Sequence, residues 1–585
     1  MEFSRLVEVY ERLEATSKRL EMTDILVGLL KTTDPEIIDK VVYLTQGRLY
    51  PSFVGIELGV ADRLALKALS FVSGETEDLL LDRWVKEGDL GKVAQECVTK
   101  KKQRTLFSEP LTVERVYGNL ESVAKASGSG AQDMKVKLIG EIVHDSGPIE
   151  AKYIMRMVVG KLRLGVADMT IVDALAQAFG AKVDRERVEA TYNISSDLGA
   201  IAKALARKGL VGLEEFRLRP GVPVRPMLAE RLPSAKEILE KMEGRAALEY
   251  KYDGLRVQAH LTNGGAHIRL FSRQLEDITD QFPDVAKELK DAFKGKEAIA
   301  EGECVPINVE TGEMLPFQEI SHRRGRKYEM EAMMERYPVA LFLFDCLLHD
   351  GKDLLNETYE ERRKLLANGF RTNERVLLAE SFITTDPAQA EAFFEKAIAS
   401  GCEGMMAKMP GSKYKAGARG WQWIKCKRDY KAELTDTIDL VVVGAISGQG
   451  KRKGAYGALL MAAYNPDKDM FETVCKLGTG FSDAFLIEMK QRLADSVIKE
   501  RHPRVDSKFD VDVHLVPRHV LEVAGAEITL SPVHTCAWGE IREDAGLAVR
   551  FPRYTGRWRD DKGAEDATST KEVVDLYLAQ KKKAE

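Results

Sequence analysis

At 585 residues the chain is longer than a single hydrophobic core organises, so three domains are expected, with two as the fallback. A hydrophobic share of 44% is ample for packed cores, and a formal net charge of -5 excludes a uniformly basic nucleic-acid coat, so any such binding must come from local patches. Seven cysteines without a C-x-x-C pair argue against a zinc module or a disulfide framework, and no apolar run approaches a membrane span. A soluble, intracellular protein is expected.

Residues 1–218 have the pattern of helix after helix. Met1–Glu14 is an amphipathic, charged helix rather than a signal peptide. Asp34-Pro35-Glu36 supplies a cap, a first-position proline and a first-turn acid for a helix through Ile37, Ile38, Val41 and Val42. Ser127-Gly128-Ser129-Gly130 breaks the pattern before the next helix. From Ala151 to Ala167 stand Lys152, Arg156, Lys161 and Arg163 with no acid, which suits phosphate contacts or else a solvated helix face. Lys100-Lys101-Lys102-Gln103-Arg104-Thr105-Leu106-Phe107 sets two large apolar residues on a charged loop, as a docking peptide would, or as a loop pinned to the core.

Three prolines and a glycine across Pro220–Pro226 mark a boundary. Beyond it, strands are predicted over 246–250, 255–261, 267–272, 298–306 and 339–348, with helices near 234–242, 283–294 and 388–400: an α+β domain reaching about Tyr430. Short strands over 438–444, 458–464 and 520–530 with glycine-rich turns predict a small β-barrel, Lys451-Arg452-Lys453 adds a basic loop, and the tail from Ser569 to Glu585 is helical.

Chemistry centres on Glu249-Tyr250-Lys251-Tyr252-Asp253-Gly254-Leu255-Arg256. Leu255, Val257, Ala259 and Leu261 alternate with Arg256, Gln258 and His260, the pattern of a half-buried strand after a turn at Asp253-Gly254, which leaves Lys251 on a stiff strand end. A lysine becomes a nucleophile only when neighbouring cations or desolvation hold it deprotonated. Five later clusters suit a lysine that attacks a nucleotide phosphate. Ser272-Arg273 offers a phosphate fork, Glu301-Gly302-Glu303 carboxylates for ribose or magnesium, and Phe344-Asp345 a stacking face. Glu403 to Lys408 joins a carboxylate, apolar packing and a lysine, and Lys425-Cys426-Lys427 points two lysines to one side of a strand. Taken singly, each is more readily a turn, a core aromatic or a solvated face.

In that order, the six motifs resemble the covalent nucleotidyltransferase superfamily of DNA ligases, RNA ligases and messenger RNA capping enzymes. Pro226-Met227-Leu228-Ala229, the helical segment Glu150 to Val166, Arg550-Phe551-Pro552-Arg553 and Asp566-Ala567-Thr568 narrow it to a resemblance to the replicative ATP-dependent DNA ligases of archaeal and eukaryotic type. The resemblance implies three domains: an all-α DNA-binding domain (1–218), an α+β adenylylation domain of nucleotidyltransferase, ATP-grasp-like fold (219–430), and a β-barrel OB-fold domain with a helical tail (431–585). It implies an enzyme that seals nicks in duplex DNA in replication, repair and recombination, using ATP and Mg2+ through a lysyl-AMP on Lys251. Glu249, Arg256, Arg273, Glu303, Phe344, Met406, Lys408, Arg419, Lys425 and Lys427 would hold the nucleotide, Arg550 and Arg553 would orient pyrophosphate, and Asp253, Glu303 and Glu403 would support metal. Lys152, Arg156, Lys161 and Arg163 would grip the DNA backbone, and Gln103, Leu106 and Phe107 resemble a sliding-clamp (PCNA-type) peptide carrying one aromatic where two are common. A cytoplasmic, nucleoid-associated, archaeal monomer is implied. An RNA ligase or capping enzyme fits the large helical region and Arg550–Arg553 less well, an NAD-dependent ligase would need a four-cysteine module, and a non-catalytic DNA scaffold has no need of the lysine cluster.

Overall fold

The computed structural model describes residues 1–100, 110–309, 314–315, 317–321, 323, 330–427, 437–448, 454–525 and 527–582. Gln103, Leu106, Phe107 and the Lys451–Lys453 loop lie outside them. The chain divides into two compact units. The first comprises Met1–Glu230, Ile238–Pro387 and Met406–Ile424, the second Arg231–Glu237, Ala388–Met405 and Lys425–Glu585. No helix among the described residues is long and apolar enough to cross a membrane.

Residues 1–215 of the first unit are helical, built on one apolar core in which Phe3, Leu6, Tyr10 and Leu13 of helix Phe3–Glu14 meet Tyr153, Ile154 and Met157 of helix Pro148–Val158. Two local expectations shift. Asp34 accepts from the Glu36 amide in a turn at 2.8 Å, so the helix starts at Ile38 rather than at Pro35. The segment 150–166 stops being helical at Val158, because Gly160 turns left-handed (φ 64°) and Arg163 follows at φ 61°.

Residues 228–427 hold two sheets. Eleven strands take part: β1 (Leu228–Arg231), β2 (Ala246–Lys251), β3 (Leu255–Thr262), β4 (His267–Ser272), β5 (Ala298–Pro306), β6 (Val339–His349), β7 (Lys352–Asp353), β8 (Val376–Leu378), β9 (Ser381–Thr384), β10 (Gly404–Lys408) and β11 (Arg419–Lys427). One sheet has the order β1-β11-β10-β2-β9, the other β4-β3-β5-β6-β7 with β8 beside β6. The three residues after β2, Tyr252 to Gly254, therefore carry the chain from one sheet to the next. Gly254 makes that crossing possible: a Cβ there would stand 2.4 Å from the Cys304 carbonyl oxygen.

The apolar face of β3 packs as its alternation predicts, with Val257, Ala259 and Leu261 in a core shared with Leu289 of helix Pro283–Ala292. Its polar face departs from the half-buried expectation. Gln258 and His260 are buried as deeply as their apolar neighbours, because residues 221–227 lie across them and satisfy their hydrogen bonds.

In the second unit, strand Ile438–Ser447 pairs with Tyr456–Asn465 on one side and with Val513–Leu515 and Val520–Ala524 on the other, within an eight-stranded sheet whose register shifts at bulges near Val442, Ile446 and Met461. The predicted strand 520–530 is two strands. Val520–Ala524 stays in this sheet, and after the break at Gly525 the segment Glu527–Ser531 pairs instead with Gly546–Arg550. Asp566-Ala567-Thr568 is anchored to this sheet: Asp566 accepts from the Gly563 amide and the Thr568 hydroxyl from the Asp439 amide, ahead of helix Thr570–Lys582.

Candidate nucleotide site

Lys251 is the last residue of β2 and is half-buried, as a strand-end placement predicts. Two residues earlier, Glu249 is 2% exposed and Lys408 of β10 is 1% exposed; they form an ion pair at 2.6 Å. The Tyr359 hydroxyl donates to the other oxygen of Glu249. Burial pushes the Lys408 ammonium below its ordinary value, although the Glu249 and Asp345 carboxylates oppose the shift. Its Nζ lies 4.6 Å from the Phe344 ring centroid and 4.4 Å from that of Trp423.

Phe344 and Met406, both half-buried, join one apolar cluster with Met227, Leu347, Tyr414 and Trp423. Beneath Phe344 the strand is fixed by Asp345, whose carboxylate takes a two-pronged pair from Arg362 at 2.7 and 3.0 Å. Arg256 donates to Glu301 at 2.8 Å and to the Met227 carbonyl at 3.1 Å, with its guanidinium 5.4 Å from the Phe344 centroid. Its Nε is buried without a partner among the described residues. Glu303 faces Arg256 across the β3–β5 ladder, and Asp253 accepts from the Phe317 amide at 3.4 Å. Arg273, just past β4, and Arg419, first in β11, are exposed.

In the second unit, Lys427 pairs with Glu403 at 2.7 Å, and Lys425, on the same side of β11, has its carbonyl bonded by the Leu232 amide. Arg550 pairs with Glu527 at 3.0 Å and lies over Phe551, while Arg553 is exposed. Among the described residues no three His, Cys, Asp or Glu side chains form a ready cation cage.

The basic stretch of the helical region reads differently in the fold. Lys152 and Arg156 do not present themselves to phosphate. Arg156 is 2% exposed and bonds Glu14 at 2.8 Å and Asp89 at 2.6 Å, while Lys152 bonds Glu11 and Glu14 at 2.7 and 2.8 Å. Arg163 donates to the Gly88 carbonyl at 2.7 Å, and Lys161 stays outside the network. The compensating acids lie up to 142 residues away in sequence, so local charge counting could not find them. Arg156→Ala is expected to destabilise the helical region by about 3–5 kcal/mol, since it strands the buried Asp89 carboxylate. A urea midpoint checks this, and an unchanged midpoint with weakened DNA binding would restore the phosphate reading. Burial raises the Glu14 carboxyl, but hydrogen bonds from Arg156, Lys152 and Tyr153 outweigh it and hold the group at about 2. The network's stabilisation is thus complete above the ordinary value of 4.5 and is lost as pH falls through about 2.

The sequence reading gave no site role to Tyr414, Tyr359, Gln258 and His260, and it gave Glu301 to ribose or magnesium, whereas its carboxylate is bonded to Arg256, Gln258 and Tyr414. Only the alternation of polar residues along β3 could have pointed to any of them.

Three family profiles match in order: a DNA ligase N terminus over residues 2–176, an ATP dependent DNA ligase domain over 226–427, and an ATP dependent DNA ligase C terminal region over 452–562. Relatives include a protein named DNA ligase 2 from Thermofilum pendens, 52% identical over all of this chain and 98% of its own length. Another DNA ligase 2, from Korarchaeum cryptofilum, is 50% identical at 100% and 98% coverage, and a DNA ligase of Pyrobaculum arsenaticum is 50% identical over the whole of both chains. A solved structure titled Pmar-Lig_Pre. shares the fold at TM-score 0.56 and 16% identity, over 95% of this chain and 99% of that one.

Proposed function

Given that this chain belongs to the ATP-dependent DNA ligase family, whose members join nicked DNA, we propose that it does so through Lys251 as the adenylated nucleophile. It is an ATP-dependent DNA ligase. The observation that carries the assignment to Lys251 is its position at the end of β2, where the chain crosses between the two sheets beside the Arg256, Phe344 and Lys408 cluster.

Lys251 Nζ attacks the α-phosphorus of ATP; the bond to the β-phosphate breaks, pyrophosphate leaves, and AMP stays on nitrogen. An oxygen of the nick's 5′-phosphate then attacks that phosphorus, breaking the N–P bond and returning the amine. The 3′-hydroxyl attacks the activated 5′-phosphate, closing the strand and expelling AMP. The protein's part is positioning and charge neutralisation, which phosphoryl transfer needs most. Phe344 and Met406 take the two faces of the base, and Glu249 takes its edge through carboxylate and backbone. Arg256, Arg273 and Glu303 hold ribose and phosphate, with Lys408, Arg419, Lys425 and Lys427 adding positive charge. Asp253, Glu303 and Glu403 would hold Mg2+, which neutralises phosphate charge when bound. Arg550 and Arg553 orient pyrophosphate, for which Arg550 must leave Glu527.

The division into residues 1–218, 219–430 and 431–585, with an OB-fold last, is part of the same reading, as is action by a monomer. The helical region would grip duplex backbone without reading sequence, Lys161 among its phosphate contacts. The test is a pulse of α-labelled ATP with Mg2+, followed by a chase with nicked DNA. Label should enter the protein and leave it as the nick is sealed; labelling by GTP in place of ATP, or discharge onto nicked RNA alone, overturns the reading.

Gln103, Leu106 and Phe107 form the proposed sliding-clamp peptide. Phe107→Ala should weaken binding to the cognate clamp at least tenfold and leave sealing of bare nicked DNA intact, since an anchoring aromatic is worth about 2 kcal/mol or more. Equal clamp affinity for both proteins refutes that assignment.

A further inference from the structure

The polar face of β3 is a continuous buried column that runs from the segment joining the helical region to the sheets, residues 219–227, down to Arg256. Gly221 donates its amide to His260 Nδ1 at 2.9 Å, so the neutral ring carries its proton on Nε2, 2.9 Å from Gln258 Oε1. That oxygen also accepts from the Val224 amide at 2.7 Å. The amide nitrogen of Gln258 donates to the Val224 carbonyl at 3.1 Å and to Glu301 Oε1 at 3.2 Å. Glu301 Oε2 accepts from Arg256 and from the Tyr414 hydroxyl, which in turn accepts from the Met227 amide at 2.9 Å. Arg256 closes the loop on the Met227 carbonyl.

Every donor and acceptor of Gln258 is used, and each link admits one polarity only. Burial, with Arg269 nearby, pushes the His260 ring down to about 3, so it stays neutral and keeps the Nδ1 acceptor that Gly221 requires. The same joining segment is bonded on its other side to the helical region, where Arg225 donates its amide to the Asn193 carbonyl at 2.8 Å and Ser196 donates its hydroxyl to the Pro223 carbonyl at 2.7 Å.

We propose that Gln258 and His260 are positioning residues for adenylation: through Glu301 they fix the rotamer of Arg256 that sets its guanidinium beside Phe344, and through Gly221 and Val224 they make that rotamer depend on the docked joining segment. This rests on Arg256 being a nucleotide contact. A carboxylate with both oxygens committed orients a guanidinium, whereas one released from Gln258 can swing and take Arg256 with it. No covalent step changes; what changes is how well Arg256 is prepared before ATP arrives.

The test uses the full chain and the initial rate of lysyl-AMP formation against ATP concentration. Gln258→Leu should raise the apparent KM for ATP about tenfold or more, while labelling at saturating ATP still reaches one per chain. Gln258→Glu, isosteric but unable to donate to Val224 or Glu301, should do the same and serves if the leucine variant fails to fold. The deciding measurement is a cycle with Arg256→Ala. Once Arg256 is gone, the Gln258 substitution should change KM less than twofold further, because it acts through that residue. His260→Gln should show a smaller rise that is likewise erased by Arg256→Ala. A Gln258 effect that persists undiminished beside Arg256→Ala, or a wild-type KM in Gln258→Glu, overturns the proposal. If Arg256→Ala alone leaves KM unchanged, it is the nucleotide-site reading that fails.

Discussion

Lys251→Ala is expected to abolish covalent labelling by α-labelled ATP, lowering lysyl-AMP formation by about 10^4-fold or more, while sealing of a nick that already carries a 5′-adenylate stays within about tenfold of wild type. The asymmetry follows from the order of bonds. In the proposed mechanism the first two steps pass the adenylyl group through Lys251 Nζ, but the third joins a 3′-hydroxyl to an already activated phosphate and needs only positioning and charge. Lys251→Arg separates nucleophile from cation. A guanidinium keeps the positive charge and never offers a free lone pair at working pH, so it should be as dead in labelling as alanine yet closer to wild type on the adenylated nick. Label retained on Lys251→Ala would show that another group carries AMP, and equal loss in all three steps would show that the substitution harmed the site rather than its nucleophile. Two other lysines of the motifs are poor substitutes. Lys408 is held by Glu249 at 2.6 Å and Lys427 by Glu403 at 2.7 Å, each committed to a carboxylate.

Why the motif was legible while its support was not comes down to sequence distance. The strands predicted over 246–250, 255–261, 267–272 and 298–306 match the observed ones to within a residue because alternation and turn residues are local properties. Gly254 between Asp253 and Leu255 was a usable signal for the same reason, since a close backbone approach admits glycine alone. Partners of buried charges carry no such signature. Asp345 finds Arg362 across 17 residues, Arg256 finds Glu301 across 45, and Lys152 finds Glu11 across 141. A run of basic residues without acids therefore looked like a phosphate grip, although half of it was neutralised by helix Phe3–Glu14. The same limit explains β3. Alternation identified which residues share a face, but whether that face meets water or another segment depends on where residues 221–227 are laid down.

The buried pair of Asp345 and Arg362 carries the largest expected loss of stability in the catalytic region. Both side chains are 0% exposed, and the pair is saturated: besides its two bonds to Asp345, Arg362 donates to the Glu357 carbonyl at 2.9 Å and the Ser412 carbonyl at 3.2 Å, while Asp345 also accepts from the Cys346 amide at 2.9 Å. Removing one partner leaves the other charged and dry. Arg362→Ala should therefore cost about 3–5 kcal/mol, and replacing both by leucine should recover much of that loss. Burial raises the Asp345 carboxyl, but Arg362 outweighs it and holds the group below its ordinary range. The stabilisation is accordingly present above the unfolded carboxylate value and disappears as pH falls through the folded one, so the cost of Arg362→Ala should be flat across neutral pH and shrink only in strong acid. Because Asp345 follows Phe344 on β6 and Arg362 lies on helix Tyr359–Gly369 beside the residue that fixes Glu249, the single substitution should also raise KM for ATP. The double leucine chain, stable again but without the pair's fixed angle, separates the two effects: a recovered urea midpoint with KM still high assigns the ion pair to alignment of the base pocket, and recovery of both assigns it to folding alone.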